Sequence, residues 1–198
     1  VKVTCTKSNE GFATAGGVQY VACAGNFKDA GLEYTGALKV LQMIFSYEYL
    51  WIQIRVKGGA YGCMCSFSDQ GDSMFVTYRD PNLSESYKVY DEAADYVADF
   101  DADDRDMKKY IIGTIGSMDM PMEAVDMGAR SFHAYFLDKT EADLQKVRDQ
   151  VLSCTQEDIR ALAPIVKAVV EAGNRCCIGN EEKIDQNKEY FDEVKHVL

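Results

Sequence analysis

Trp51-Ile-Gln-Ile-Arg55-Val-Lys-Gly58-Gly59-Ala-Tyr61-Gly62 carries a helical pattern into a pair of glycines and out again into a β-forming run. Adjacent glycines stop a helix, because each lacks the Cβ that restricts the unfolded backbone. Upstream, Leu38, Leu41, Met43, Ile44 and Phe45 mark one apolar helical face from Thr35 onward, and Tyr47–Ile54 continues it as a second helical stretch. Downstream, Tyr61–Ser68 and Ser73–Tyr78 are β-rich runs joined by Asp69-Gln70-Gly71-Asp72, a hairpin signal. The centre of the chain therefore reads as helix, tight loop, hairpin.

Working outward, Val18–Ala24 reads as a buried strand broken by Gly25-Asn26, and Val1 as the start of an earlier strand. Pro81-Asn82 ends the hairpin and leads to a helix over Ser84–Phe100, with Tyr87, Tyr90, Ala94, Val97 and Ala98 at helical spacing. Asp103 or Asp104 caps the next helix, and Pro121 sits near the start of another. Thr140 with Asp143, and Thr155 with Asp158, have the spacing of N-caps with an acid three residues on. Pro164 falls at a kink or an early helical turn; Asn174–Ile178 reads as a closing strand and Glu181–Glu189 as a short helix. This order predicts an α+β module, an antiparallel sheet with helices packed on one face.

Length and composition set bounds. The 198 residues suffice for one domain, residues 1–198, and 47% hydrophobic with 27% charged residues is an ordinary globular mixture. A net charge of −11 argues against nucleic acid and anionic membrane as partners, since both select for basic surfaces. The longest apolar runs, Val18–Gly25 and Ile159–Val170, are too short or too interrupted to span a bilayer. With Val1 rather than Met at the start and no targeting segment, the chain reads as a piece of a longer polypeptide. Seven cysteines without a C-x-x-C pair read as reduced, buried thiols of a cytoplasmic protein; Cys63 and Cys65 share a strand face, while Cys176 and Cys177 point oppositely.

Few residue patterns carry chemistry. The acidic run Asp99–Asp106 fails as an EF-hand-type calcium loop, because its sixth and twelfth places hold Asp104 and Tyr110 rather than Gly and Glu. His133 and His196 are far apart and neither has Glu at zinc-ligand spacing, so no metal site is expected. Gly113-Thr-Ile-Gly116 lies inside a helical pattern, which suits close helix packing better than phosphate binding. What remains is Arg55 and Tyr61 across Gly58-Gly59. A fixed cation and a phenolic donor aimed at one point suit a developing oxyanion; on spacing alone, a structural Arg and a packed Tyr are the favoured explanation of the stretch.

R-V-K-G-G-A-Y-G at Arg55–Gly62, with F-V-T-Y-R-D-P-N-L at Phe75–Leu83, resembles the C-terminal domain of presequence proteases, zinc metallopeptidases of the pitrilysin and insulinase superfamily. Asn9–Phe12, Val18–Val21 and Ile111–Gly116 share the likeness, which runs in order from about Asn9 to Ile178; Thr77, Cys63 and Cys65 depart from it. The resemblance implies the last of four α+β modules that close as two halves around an unstructured peptide, zinc and its general base lying in the N-terminal module. It further implies that Arg55 and Tyr61 bind the scissile carbonyl and stabilise its oxyanion, that Gly58, Gly59 and Gly62 shape their loop, and that the chain alone is inactive. A non-catalytic homologue acting as a peptide-binding or assembly subunit, or a free-standing peptide-binding domain, remains the alternative. The compartment implied is a bacterial cytoplasm, or an organelle matrix for a eukaryotic parent.

Overall fold

The computed structural model describes residues 6–197, so the strand expected at Val1 lies outside the described residues. The chain begins with strands β1 (Glu10–Thr14) and β2 (Tyr20–Asn26), followed by a 3-10 turn at Phe27–Ala30 and helix α1 (Ala37–Tyr47). A π-helical segment, Trp51–Lys57, precedes the hairpin β3 (Gly62–Phe67) and β4 (Asp72–Tyr78). Helices α2 (Ser84–Asp91), α3 (Ala93–Ala98), α4 (Asp104–Met118), α5 (Ala124–Phe136), α6 (Glu141–Leu152), α7 (Gln156–Arg160) and α8 (Ala163–Glu171) come next. The chain closes through β5 (Asn174–Asn180), α9 (Glu181–Gln186), a 3-10 turn at Lys188–Tyr190 and β6 (Glu193–His196).

The strands form one sheet in the order β3-β4-β2-β5-β1-β6. The α+β class holds, with one correction: β3-β4, β4-β2 and β2-β5 are antiparallel, whereas β1 runs parallel to both β5 and β6. Long-range pairing of the two ends of the chain produces these parallel ladders, and no local pattern announces it. β6 is short and polar because it is an edge strand; Lys195 forms ion pairs with Glu10 of β1 and Glu193.

Alternation divides the sheet into two faces. Val21, Cys23, Cys65, Phe67, Phe75, Thr77 and Cys177 point inward and are buried. Against them lie α1, through Leu38, Leu41, Ile44 and Phe45, and α8, through Val166 and Val169, with Tyr87 and Tyr90 of α2 and Val97 of α3. Tyr90 donates to the Val21 carbonyl at 3.1 Å and Tyr87 to that of Cys176 at 3.1 Å, so both buried phenols are satisfied. The opposite sheet face carries Met64, Met74, Tyr78 and Ile178, all exposed.

Several local expectations are refined. The helix expected over Ser84–Phe100 breaks at Glu92 into α2 and α3, letting Tyr87, Tyr90, Ala93 and Val97 all reach the core. Pro121 stands near the start of α5 as expected, three residues before it, and Glu123 is the N-cap. None of the residues of α5 is buried, and Val125, Phe132, Tyr135 and Phe136 face solvent. Both Thr caps are complete capping boxes with Asp143 and Asp158, Asp103 caps α4, and Pro164 takes the early-turn place in α8. Replacing Thr155 with Ala should lower stability by about 1 kcal/mol, measurable by urea denaturation. Of the six described cysteines, all free, Cys176 is exposed on the face opposite Cys177 and Cys63 is half-buried, a correction to the expectation of uniform burial.

Candidate functional site

α1 ends at Tyr47, and after one turn the chain widens into the π-helical segment, where Gly58 N–H reaches back five residues to the Gln53 carbonyl at 3.0 Å. Such wide turns concentrate at functional sites because they displace a side chain from the regular helical surface. Ile54 alone among these residues is buried and anchors the segment. Two glycines let it end so abruptly. A Cβ at Gly58 would lie 2.6 Å from the Ile54 carbonyl oxygen, and Gly59 adopts φ 81°, a left-handed conformation that side chains disfavour. Gly62 already belongs to β3, and a Cβ there would make only ordinary contact with Tyr78 at 3.9 Å.

The loop brings Arg55 and Tyr61 together. The Arg55 guanidinium carbon lies 5.7 Å from the Tyr61 ring centroid and 5.5 Å from that of Trp51, a cation held between two aromatic faces. Arg55 Nη1 donates to the Ala60 carbonyl at 3.1 Å, its Nε is buried without a hydrogen-bond partner, and no carboxylate of the described residues pairs with it. The Tyr61 backbone N–H donates to the carbonyls of Tyr78 at 3.1 Å and Arg79 at 3.2 Å, which ties the ring to the end of β4. Tyr61 is 65% exposed and Trp51 42%. A half-buried permanent cation and an exposed phenol thus stand side by side at the loop.

From Tyr61 an aromatic row crosses the outer sheet face. Tyr61 meets Tyr78 edge-on at 5.7 Å, and Tyr78 meets Tyr20 at 5.4 Å. Tyr20 is in register with Ile178, and Ile178 with Phe12. Beneath the site, burial pushes the Cys63 thiol up to about 11, Asp80 adding to the rise and Arg55 opposing it. A thiol so protonated is a poor nucleophile.

The other candidate groups stay apart. His133 is exposed on α5, and His196 Nδ1 sits 3.3 Å from Glu181 of α9. Among the described residues no three His, Cys, Asp or Glu side chains converge as metal ligands, so the donor set does not fit zinc. Asp103 accepts from the N–H groups of Arg105 and Asp106, both at 2.9 Å, the helix-capping role expected of the acidic run. Gly113 packs against Met43 of α1, with room for a Cβ 3.4 Å from its sulfur. No helix among the described residues is long and apolar enough to cross a membrane.

Residues 9–180 match the sequence model of the PreP C-terminal domain family. The chain belongs to the presequence protease C-terminal domain family. The protein HypA of Clostridium perfringens is 43% identical over 192 residues, covering 97% of this chain and 20% of that protein. Presequence protease 1, chloroplastic/mitochondrial, of Arabidopsis thaliana is 33% identical over 194 residues, 96% of this chain and 18% of its own length. The chain therefore spans about a fifth of the curated relatives it matches. In fold, it resembles the peptidase M16 inactive domain from Pseudomonas fluorescens, with a TM-score of 0.61 at 16% identity over 87% of this chain and 43% of that one.

Sequence reading finds Arg55, Tyr61 and their glycines, and misses Trp51 as the second face of the cation's cage. The signal is present: Trp51 and Arg55 are four apart, a spacing that stacks side chains on a helix. It also misses Asn82, whose side chain reaches the Gly58 carbonyl from 24 positions away, and Asp80, which accepts from the Asn82 N–H.

Proposed function

We propose that this chain is the C-terminal, non-zinc-binding module of a zinc-dependent oligopeptidase, that it closes a peptide chamber against N-terminal modules of the same polypeptide, and that Arg55 and Tyr61 bind the scissile carbonyl. The observation that carries the reading is the Arg55 guanidinium, half-buried and without a carboxylate partner among the described residues, set between Trp51 and the exposed Tyr61. As the carbonyl carbon becomes tetrahedral, charge builds on its oxygen. Donors already in place then strengthen without reorganising, which lowers the barrier and not merely the ground state. The aromatic row leading from Tyr61 offers apolar contact to side chains of an unstructured peptide. The named relatives, among them a plant organellar presequence protease, support a peptidase parent. A bacterial cytoplasm or an organelle matrix is the compartment we propose.

Two measurements test this. The isolated chain, whose histidines and acids do not converge, should hold no stoichiometric zinc and cleave no peptide. One tightly bound zinc per chain, with hydrolysis lost to a chelator, would overturn the division of labour. In the full-length peptidase, Tyr61→Phe should impair turnover while leaving folding intact; wild-type kinetics on several peptides would leave this module a passive wall.

A further inference from the structure

We infer that Asn82, held by Asp80, is a positioning residue that locks the Arg55 side of the loop to the Tyr61 side. Its kinetic part rests on the oxyanion reading of that pair; its structural part does not.

The loop has a weak point. Arg55 belongs to the π-helical segment and Tyr61 to the start of the hairpin, and between them stand Gly58 and Gly59, the residue type with the most backbone freedom. The Gly58 carbonyl comes at the end of the segment, where a helix leaves its last carbonyls without partners. Asn82 Nδ2 donates to that carbonyl at 2.6 Å. The bond joins the end of the Arg55 segment to the turn leaving β4, the strand whose last carbonyls hold the Tyr61 N–H. Among the described residues two other hydrogen bonds cross the same gap, Arg55 Nη1 to Ala60 O at 3.1 Å and Ala60 N to Ile54 O at 3.1 Å, and both lie within the loop itself.

Asn82 is itself held rigidly. Its N–H donates to Asp80 Oδ1 at 2.9 Å, while Ser86 of α2 donates its hydroxyl to Asp80 Oδ2 at 2.6 Å. Asp80 is 0% exposed, and its backbone exchanges hydrogen bonds with Gln19 just before β2, at 2.7 and 2.8 Å. Burial raises the Asp80 carboxyl, while hydrogen bonds from Ser86, Asn82 and Thr77 oppose the rise. The preceding residue, Arg79, has φ 49°, a left-handed conformation that costs a non-glycine residue energy. That kink turns the chain from β4 back under the loop, so that the strut stands on the sheet and α2, not on a flexible end.

Trp51 is the only tryptophan of the chain and lies against Arg55, so its fluorescence reports the loop directly. In the 198-residue chain, Asn82→Ala should keep the far-ultraviolet circular dichroism of the folded protein while changing Trp51 emission and increasing its quenching by iodide. Asn82→Asp, which sets a carboxylate against the Gly58 carbonyl, should do the same. In the full-length peptidase, Asn82→Ala should lower kcat by about tenfold with KM within about twofold. Combined with Tyr61→Phe, the two losses should be less than multiplicative, because both act through one pair. Unchanged Trp51 quenching in both Asn82 variants would overturn the inference outright. A slow Tyr61→Phe enzyme beside an unaffected Asn82→Ala enzyme would overturn its kinetic part and leave the oxyanion reading standing. A kinetically silent Tyr61→Phe enzyme would instead remove the oxyanion reading, and the kinetic part of the inference with it.

Discussion

Tyr61→Phe in the full-length peptidase is expected to lower kcat by roughly 10²–10³, about 2.7–4 kcal/mol of transition-state stabilisation. The ring stays, so its edge contact with Tyr78 and its face toward Arg55 are kept, and only the hydroxyl is lost. Among the described residues that hydroxyl has no hydrogen-bond partner, so its removal strands no group and stability should change little. Arg55→Lys keeps the charge but loses the planar fork that lies between Trp51 and Tyr61, so turnover should fall here too. If the pair acts mainly in the transition state, kcat and kcat/KM fall together while KM is nearly unchanged. A rise in KM with kcat preserved would assign Arg55 to substrate anchoring instead. Peptide cleavage followed at several substrate concentrations separates the two.

Phe45→Ala is the substitution expected to cost the fold most, about 3–5 kcal/mol. Phe45 of α1 is 0% exposed and stands at the centre of an aromatic cluster. Its ring lies 5.8 Å from Tyr49, 6.4 Å from Phe67, 5.8 Å from Phe75 and 6.1 Å from Tyr96. These neighbours come from the turn after α1, from both strands of the hairpin and from α3, so they cannot collapse together into the space a lost ring leaves. Urea denaturation of the chain should show a lower midpoint with an unchanged slope. A cost below about 1 kcal/mol would mean that the helix layer repacks freely, contrary to the interlocking described for this core. The site would feel the loss as well, since α1 leads into the segment that carries Arg55.

The elements read correctly from sequence are those whose cause is local. The hairpin follows from β-formers on either side of Asp69-Gln70-Gly71-Asp72, and the caps at Thr140 and Thr155 from hydroxyl and acid three residues apart. The Arg55–Tyr61 loop was legible because the glycines that permit it lie between the two residues it joins. β1 and β6 were not legible, because Glu10-Gly-Phe-Ala-Thr14 and Glu193-Val-Lys-His196 have no marked β pattern and become strands only by pairing with each other and with β5. The break between α2 and α3 at Glu92 is likewise not announced in sequence, because Tyr87, Tyr90 and Val97 keep one helical spacing across it and all three are buried.

By itself, then, the sequence determined that Arg55 and Tyr61 would flank a tight glycine loop, that a sheet and a helix layer would form, and which family the chain resembled. Periodicity, capping chemistry and glycine freedom act over a few residues and are written in order along the chain. The tertiary structure decided the parallel edge of the sheet, the π-helical turn, the aromatic cage around Arg55 and the Asn82 strut beneath the loop. The sheet edge and the strut depend on groups distant in sequence. The Gly58 carbonyl is satisfied by a side chain 24 positions away, and β1 by strands more than 160 residues on. Such pairings gain their free energy only after the chain has closed the intervening loops, so no short window of sequence contains them.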